Sequence, residues 1–234
     1  MTDEAGDSVS PEKFLSAAER YQLAPAIDRW VVRRVLATLG ERTDDLTRLG
    51  ACFAVNISGQ SLGDQDFCAF LEAELRQSGL PARLLTFELT ETAAVANIVR
   101  AESLIRRLRE LGFGVALDDF GRGLSSLTYL KTLPVTTLKI DGSFVRDVIG
   151  DDRSQAMLSA IVQLAHAMGL ATVAECVESE PIQDITRHLD FDYLQILSPT
   201  CLPIKPIAAL ERHIASGVTE ADFSSVDLMH DVDA

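Results

Sequence analysis

The stretch Phe113-Gly114-Val115-Ala116-Leu117-Asp118 decides the fold. Side chains alternate between the two faces of a strand, so Phe113, Val115 and Leu117 share one face while Gly114, Ala116 and Asp118 share the other. The first face is large and apolar, suited to packing beneath helices. The second is small and ends in a carboxylate. Three more runs repeat the pattern. Over residues 84–90, Leu85, Phe87 and Leu89 oppose Thr86, Glu88 and Thr90. Over residues 51–58, Phe53 and Val55 oppose Cys52, Ala54 and Asn56, and over residues 136–141, Leu138 and Ile140 oppose Thr137, Lys139 and Asp141. Residues 171–175 and 192–196 read as two further strands, contributing Glu175 and Gln195 less clearly.

Helical patterns over residues 62–77, 96–111, 155–168 and 181–188 separate these strands, which implies parallel pairing through right-handed crossovers. Six such units without a dinucleotide glycine fingerprint favour a closed barrel over a doubly wound sheet. The expected class is therefore α/β, a TIM-type barrel. Two helices precede the first strand. Ser10-Pro11 supplies the cap and first turn of one, and the other spans residues 24–39 with Trp30 on its apolar side. No linker divides residues 1–215. The remainder, 216–234, is rich in Asp, Glu and Ser and reads as a disordered acidic tail.

Composition narrows the function. The 234 residues are 47% hydrophobic and carry a formal net charge of −14, which disfavours binding a nucleic-acid polymer through its phosphates. No run approaches the roughly 20 apolar residues of a membrane span, and the N-terminus lacks the features of a signal peptide. Cys52, Cys68, Cys176 and Cys201 form no CxxC pair, so Cys52 and Cys68 read as buried thiols in a reducing cytoplasm. His166, His188, His213 and His230 have no zinc-binding spacing.

The inward faces end in Asn56, Glu88, Asp118 and Lys139, at the end of the strands where barrel enzymes assemble their sites. One buried carboxylate would serve as a hydrogen-bond hub. Several converging on one mouth repel one another unless cations lie between them. Oxygen donors without His or Cys clusters favour Mg²⁺ or Mn²⁺, ions that can activate water and clamp the oxygens of a phosphoryl displacement. Lys139 adds a point charge suited to a phosphate oxygen or the attacking water.

Asn56-Ile57-Ser58, Glu88-Leu89-Thr90-Glu91, Asp118-Asp119-Phe120-Gly121, Lys139-Ile140-Asp141 and Ala174-Glu175-Cys176-Val177-Glu178 occur in order at barrel spacing. As a set they resemble the EAL domain, the cyclic-di-GMP phosphodiesterase family of bacteria, over about residues 5–210. The resemblance implies that Asn56, Glu88 and Asp118 ligate a first metal and Asp119 a second, with Glu175 and Gln195 completing or positioning that side. It implies that Lys139 orients the water, that Glu91 holds the loop after Asp119, and that cyclic-di-GMP is hydrolysed to a linear dinucleotide.

The pattern departs from that family in four places. The family begins with two further strands, the second carrying Glu-x-Leu and an arginine, and Met1 falls in the loop after them. A start assigned too far downstream, a decayed gene, or a second copy or partner domain completing the barrel would each account for this. The alignment of Met1-Thr2-Asp3-Glu4 with the middle of a longer domain favours the first two. Arg122 and Leu124 stand where the family has a small and an aromatic residue. Cys176 replaces a glycine, and residues 196–201 replace a ligand-binding run. The expectation is a chain with little hydrolytic activity of its own, or a module that binds cyclic-di-GMP or a protein without catalysis.

Overall fold

The computed structural model describes residues 11–122, 128–196 and 230–231. Six parallel strands follow one another in chain order: β1 (Phe53–Asn56), β2 (Leu85–Thr90), β3 (Gly114–Phe120), β4 (Thr137–Ile140), β5 (Ala171–Val177) and β6 (Tyr193–Ile196). Each pairs with the next, and residues 230–231 add a short antiparallel strand, β7 (His230–Asp231), beside β6. Among the described residues no strand pairs with the other edge of β1. The expected barrel is thus present as an arc of six parallel strands with its helices.

The helices are α1 (Pro11–Arg20), α2 (Ala24–Gly40), α3 (Thr43–Arg48), α4 (Gly59–Gly63), α5 (Phe67–Ser78), α6 (Glu91–Ala96), α7 (Ile98–Glu110), α8 (Gly142–Arg146), α9 (Asp152–Ala167) and α10 (Glu180–His188). The outward strand face packs beneath them as the alternation requires: Phe87, Leu89, Val115, Leu117 and Leu138 are all buried in one apolar cluster. A second cluster joins Ile140, Ala174 and Leu194 to Val145, Leu158, Val162 and Ile182. At the opposite end of the strands from the acids, Asp192 accepts hydrogen bonds from the Thr172 amide (2.7 Å) and hydroxyl (2.8 Å) and lies 2.9 Å from His166 Nε2. That contact ties the starts of β5 and β6 to the end of α9.

Several expectations need correction. Trp30 is 66% exposed, whereas Val32, Leu36 and Leu39 form the buried stripe of α2. At about 100° per residue, Trp30 lies roughly 200° around the helix from Val32, so it cannot share that face. The helix expected over residues 62–77 starts later, as α5, and the one over 96–111 is present as α7, but a short helix not expected from the periodicity precedes each, α4 and α6. In both cases a polar residue at the strand end caps a short helix first. Ser58 Oγ accepts from the Ser61 amide at 3.2 Å and Thr90 Oγ1 from the Ala93 amide at 3.3 Å, satisfying amides that a helix start leaves unpaired. Cys52 and Cys68 are half-buried rather than buried. Cys201, Leu124, the run after Ile196 and, apart from β7, the acidic tail lie outside the described residues.

Candidate functional site

Strands β3 and β5 each continue two residues beyond their expected ends. In β3 the register runs Leu117↔Leu138 and then Phe120↔Ile140, so Asp118 and Asp119 together oppose Lys139. In β5 it runs Ala174↔Leu194 and then Val177↔Ile196, so Glu175 and Cys176 oppose Gln195. These are β-bulges, in which one extra residue breaks the alternation and re-aims its neighbours. The second residue of each is left-handed, with φ of 56° at Asp119 and 55° at Cys176. The β3 bulge leaves both Asp118 and Asp119 half-buried near the strand end.

Lys139 occupies the centre. Its Nζ lies 3.0 Å from carboxylate oxygens of Glu88, Asp118 and Glu175, with side-chain exposure of only 5% for the lysine and 2% for Glu88. Burial alone would lower the lysine's affinity for its proton, but the charges of Glu88, Asp118 and Glu175 reverse this and hold its pKa above the ordinary range. The ammonium is therefore charged, and it neutralises only one of three acids. Glu175 responds by keeping its proton. Burial, the Asp118 charge and a hydrogen bond to Asp118 push its pKa up to about 8, against the pull of Lys139.

A second group adjoins the first. Asp119, Asp141 and Glu175 each offer an oxygen, all within 4.8 Å of one another, and all three are half-buried. Burial and the neighbouring Asp118 raise the Asp119 carboxyl above its usual range, with the Arg122 guanidinium 3.5 Å away opposing them. Asp141 also caps α8, accepting from the Ser143 amide at 2.9 Å. Its burial would raise its pKa, but hydrogen bonds from Ser143 hold it below the usual range. Asp118 Oδ1 is buried and, despite its 3.0 Å approach to Lys139, has no hydrogen bond of acceptable direction. Three converging acids beside a buried carboxylate oxygen that Lys139 meets as an ion pair without a directed hydrogen bond form a donor set suited to a hard divalent cation. The site fits one.

Glu91 lies behind this centre, at the first position of α6. It is 6% exposed and accepts hydrogen bonds from the Gly121 amide (2.9 Å) and from the Tyr129 hydroxyl. Gly121 has a φ of 100°, and a side chain there would meet the Phe144 ring at 2.6 Å, so only glycine fits. Glu91 thus ties the turn after Asp119 to the far side of the loop.

The structure brings together Glu88, Asp118, Asp119, Lys139 and Glu175 of the expected residues, with Glu91 behind them. Asn56 pairs in register with Glu88 but is exposed, on a strand whose outer edge has no partner among the described residues. Gln195 is half-buried on β6, opposite the β5 bulge. Sequence reasoning did not place Asp141 in the acidic group. It belongs to the same inward set as Lys139 in the 136–141 alternation, and that was the available signal.

The model of the EAL domain family matches residues 1–195. The cyclic di-GMP phosphodiesterase PdeB of Shewanella oneidensis is 36% identical over 195 residues, 83% of this chain and 22% of that protein. The cyclic di-GMP phosphodiesterase PdeF of Escherichia coli is 33% identical over 83% of this chain and 26% of its own length. The chain thus spans about a quarter of the length of the curated relatives it matches. Among solved structures, the FimX EAL domain from Pseudomonas aeruginosa bound to c-di-GMP superposes with a TM-score of 0.75 at 29% identity, covering 83% of this chain and 77% of that one. The PaMucR phosphodiesterase in complex with c-di-GMP gives 0.72 at 32% identity, covering 80% and 81%. The chain belongs to the EAL domain family.

Proposed function

We propose that this EAL domain carries the lysine-and-carboxylate part of a divalent-metal-dependent site for cyclic-di-GMP, whose chemistry is hydrolysis to the linear dinucleotide. The observation that supports this most directly is Lys139 held 3.0 Å from Glu88, Asp118 and Glu175, with Asp119 and Asp141 adjoining. The two relatives named as cyclic di-GMP phosphodiesterases and the two EAL structures bound to that nucleotide favour this substrate over phosphodiesters at large.

Asp119, Asp141 and Glu175 would hold one Mg²⁺ or Mn²⁺, and Asn56, Glu88 and Asp118 a second. A divalent ion in such a site lowers the pKa of water and offsets charge on the phosphate. Lys139 contributes a fixed positive charge at the water and the phosphate oxygen. Its charge develops no further in the reaction, so it acts by electrostatic stabilisation and orientation rather than by proton transfer. Glu175, which holds its proton tightly without metal, would have to give it up to serve as a ligand. Glu91 keeps the Asp119 bulge in shape through Gly121. Gln195 would contact the nucleotide.

The exposed position of Asn56, on a strand whose outer edge has no partner among the described residues, favours a second reading for the 234-residue chain taken alone: binding with little turnover. A first-metal group open on one side loses the preorganisation that hydrolysis requires. Incubating the purified chain with cyclic-di-GMP and Mn²⁺, with product followed by chromatography, separates the two. Little linear dinucleotide is expected, and steady multiple turnover would overturn the claim of weak activity.

A further inference from the structure

The side chain of Cys176 lies against Gly142, and this contact connects two members of the acidic trio. Cys176 follows Glu175 directly, in the left-handed position of the β5 bulge. Gly142 follows Asp141 directly, at the first position of α8. Were Gly142 to carry a Cβ, that atom would lie 2.4 Å from Cys176 Sγ and 2.5 Å from Cys176 Cβ. Rotation of the thiol would relieve the first clash but not the second, because Cβ is fixed by the backbone. Either the bulge or the start of α8 would have to move.

We propose that Gly142 is a positioning residue whose close approach to Cys176 sets the separation of Asp141 and Glu175, and so the geometry of the Asp119–Asp141–Glu175 group toward a divalent cation. The inference rests on reading that group as a metal site. Three observations make the contact a determinant of the site rather than ordinary packing. Asp141 and Glu175 each sit one bond removed from a contact partner, so a shift at either reaches a ligand undiminished. Asp141 is also tied to the other bulge, since its amide donates to the Phe120 carbonyl at 3.2 Å. Displacing α8 therefore changes its relation to Asp119 as well. Finally, Gly142 is buried, and the methyl group it would gain points at the Cys176 side chain rather than into solvent.

The chemistry predicts compensation. Removing the Cys176 side chain vacates the volume that an alanine at position 142 would need, and a glycine suits the left-handed bulge better than any L-residue. The test is a double-mutant cycle on the full 234-residue chain with Gly142→Ala, Cys176→Gly and both together. Mn²⁺ binding is read by calorimetry and folding by thermal unfolding. Gly142→Ala is expected to weaken Mn²⁺ binding by about 10- to 100-fold, as loss of support for a ligand typically does, and the double variant to regain the parent's affinity. Should Gly142→Ala alone fail to fold, the double variant carries the test, because the inference requires it to fold and bind Mn²⁺ as the parent does. Unchanged Mn²⁺ affinity in Gly142→Ala, or a double variant as impaired as the single, overturns the inference alone. A parent chain that binds no Mn²⁺ overturns the metal reading and the inference with it.

Discussion

Glu175 is the residue at which charge and burial compete most openly. Its ordinary carboxyl pKa of 4.5 is pushed up to about 8 by burial first, and then by the charge of Asp118 and a hydrogen bond to it, against the pull of Lys139. A carboxyl whose pKa is raised on folding binds its proton more tightly in the native state. Its stabilising contribution is therefore complete below pH 4.5 and lost as the pH rises toward 8. Metal-free protein is expected to melt at lower temperature as pH rises across that window, and Glu175→Gln to flatten the slope. A divalent cation replaces the proton, so Mn²⁺ should recover stability most at the alkaline end. Melting curves over pH 5–8 check this on the order of a few degrees, and a Glu175→Gln protein with the parent's slope would contradict it. At this scale the sequence was informative. Glu88, Asp118 and Lys139 were legible because strict alternation placed each on the inward face near a strand end. Asp141 shared that alternation but was hidden by its second role as a helix cap.

The elements that shape the site are the two bulges and the turns that follow them. Period-two reading ends each strand at its first irregularity, which is why β3 was expected to stop at Asp118 and β5 at Glu175. Both strands continue for two residues, and the irregularity itself brings Asp119 and Cys176 to the site. A left-handed non-glycine residue leaves no mark in hydrophobic periodicity: Asp119 is of a type enriched in that conformation and Cys176 is not, yet neither changes the period that is read. The short helices α4 and α6 were hidden for a related reason: Ser58 and Thr90 cap them before the amphipathic pattern begins. Glu91 shows how the bulged end of β3 is held. Replacing it with alanine would remove the acceptor of the Gly121 amide and an acceptor of the Tyr129 hydroxyl. The expected cost is about 1–3 kcal/mol per unsatisfied group, measurable by denaturant unfolding. Weaker Mn²⁺ binding should accompany it as the Asp119 turn loosens, whereas unchanged stability and binding would show that the loop is held by other contacts.

The whole molecule is an arc of six parallel strands whose inward end is acidic although its overall charge is already −14. Strand order, parallel pairing and the burial of one face follow from the alternation of strands with amphipathic helices, and all were legible in the sequence. The position of Trp30 was not, because one aromatic residue on an amphipathic helix does not reveal which of two neighbouring stripes is buried. At this scale the charge makes a clear demand. A protein of this sign can attract a doubly anionic nucleotide to an acidic mouth only if bound cations reverse the local field. On the proposed reading, binding of the nucleotide is therefore expected to depend on metal. Calorimetric titration of the chain with cyclic-di-GMP tests this most directly, using Ca²⁺ to populate the site while limiting turnover. Saturable binding in the presence of Ca²⁺, abolished by chelator and by Asp118→Asn, is the expected result. Absence of binding at high nucleotide concentration, or binding that survives both chelator and substitution, would contradict it.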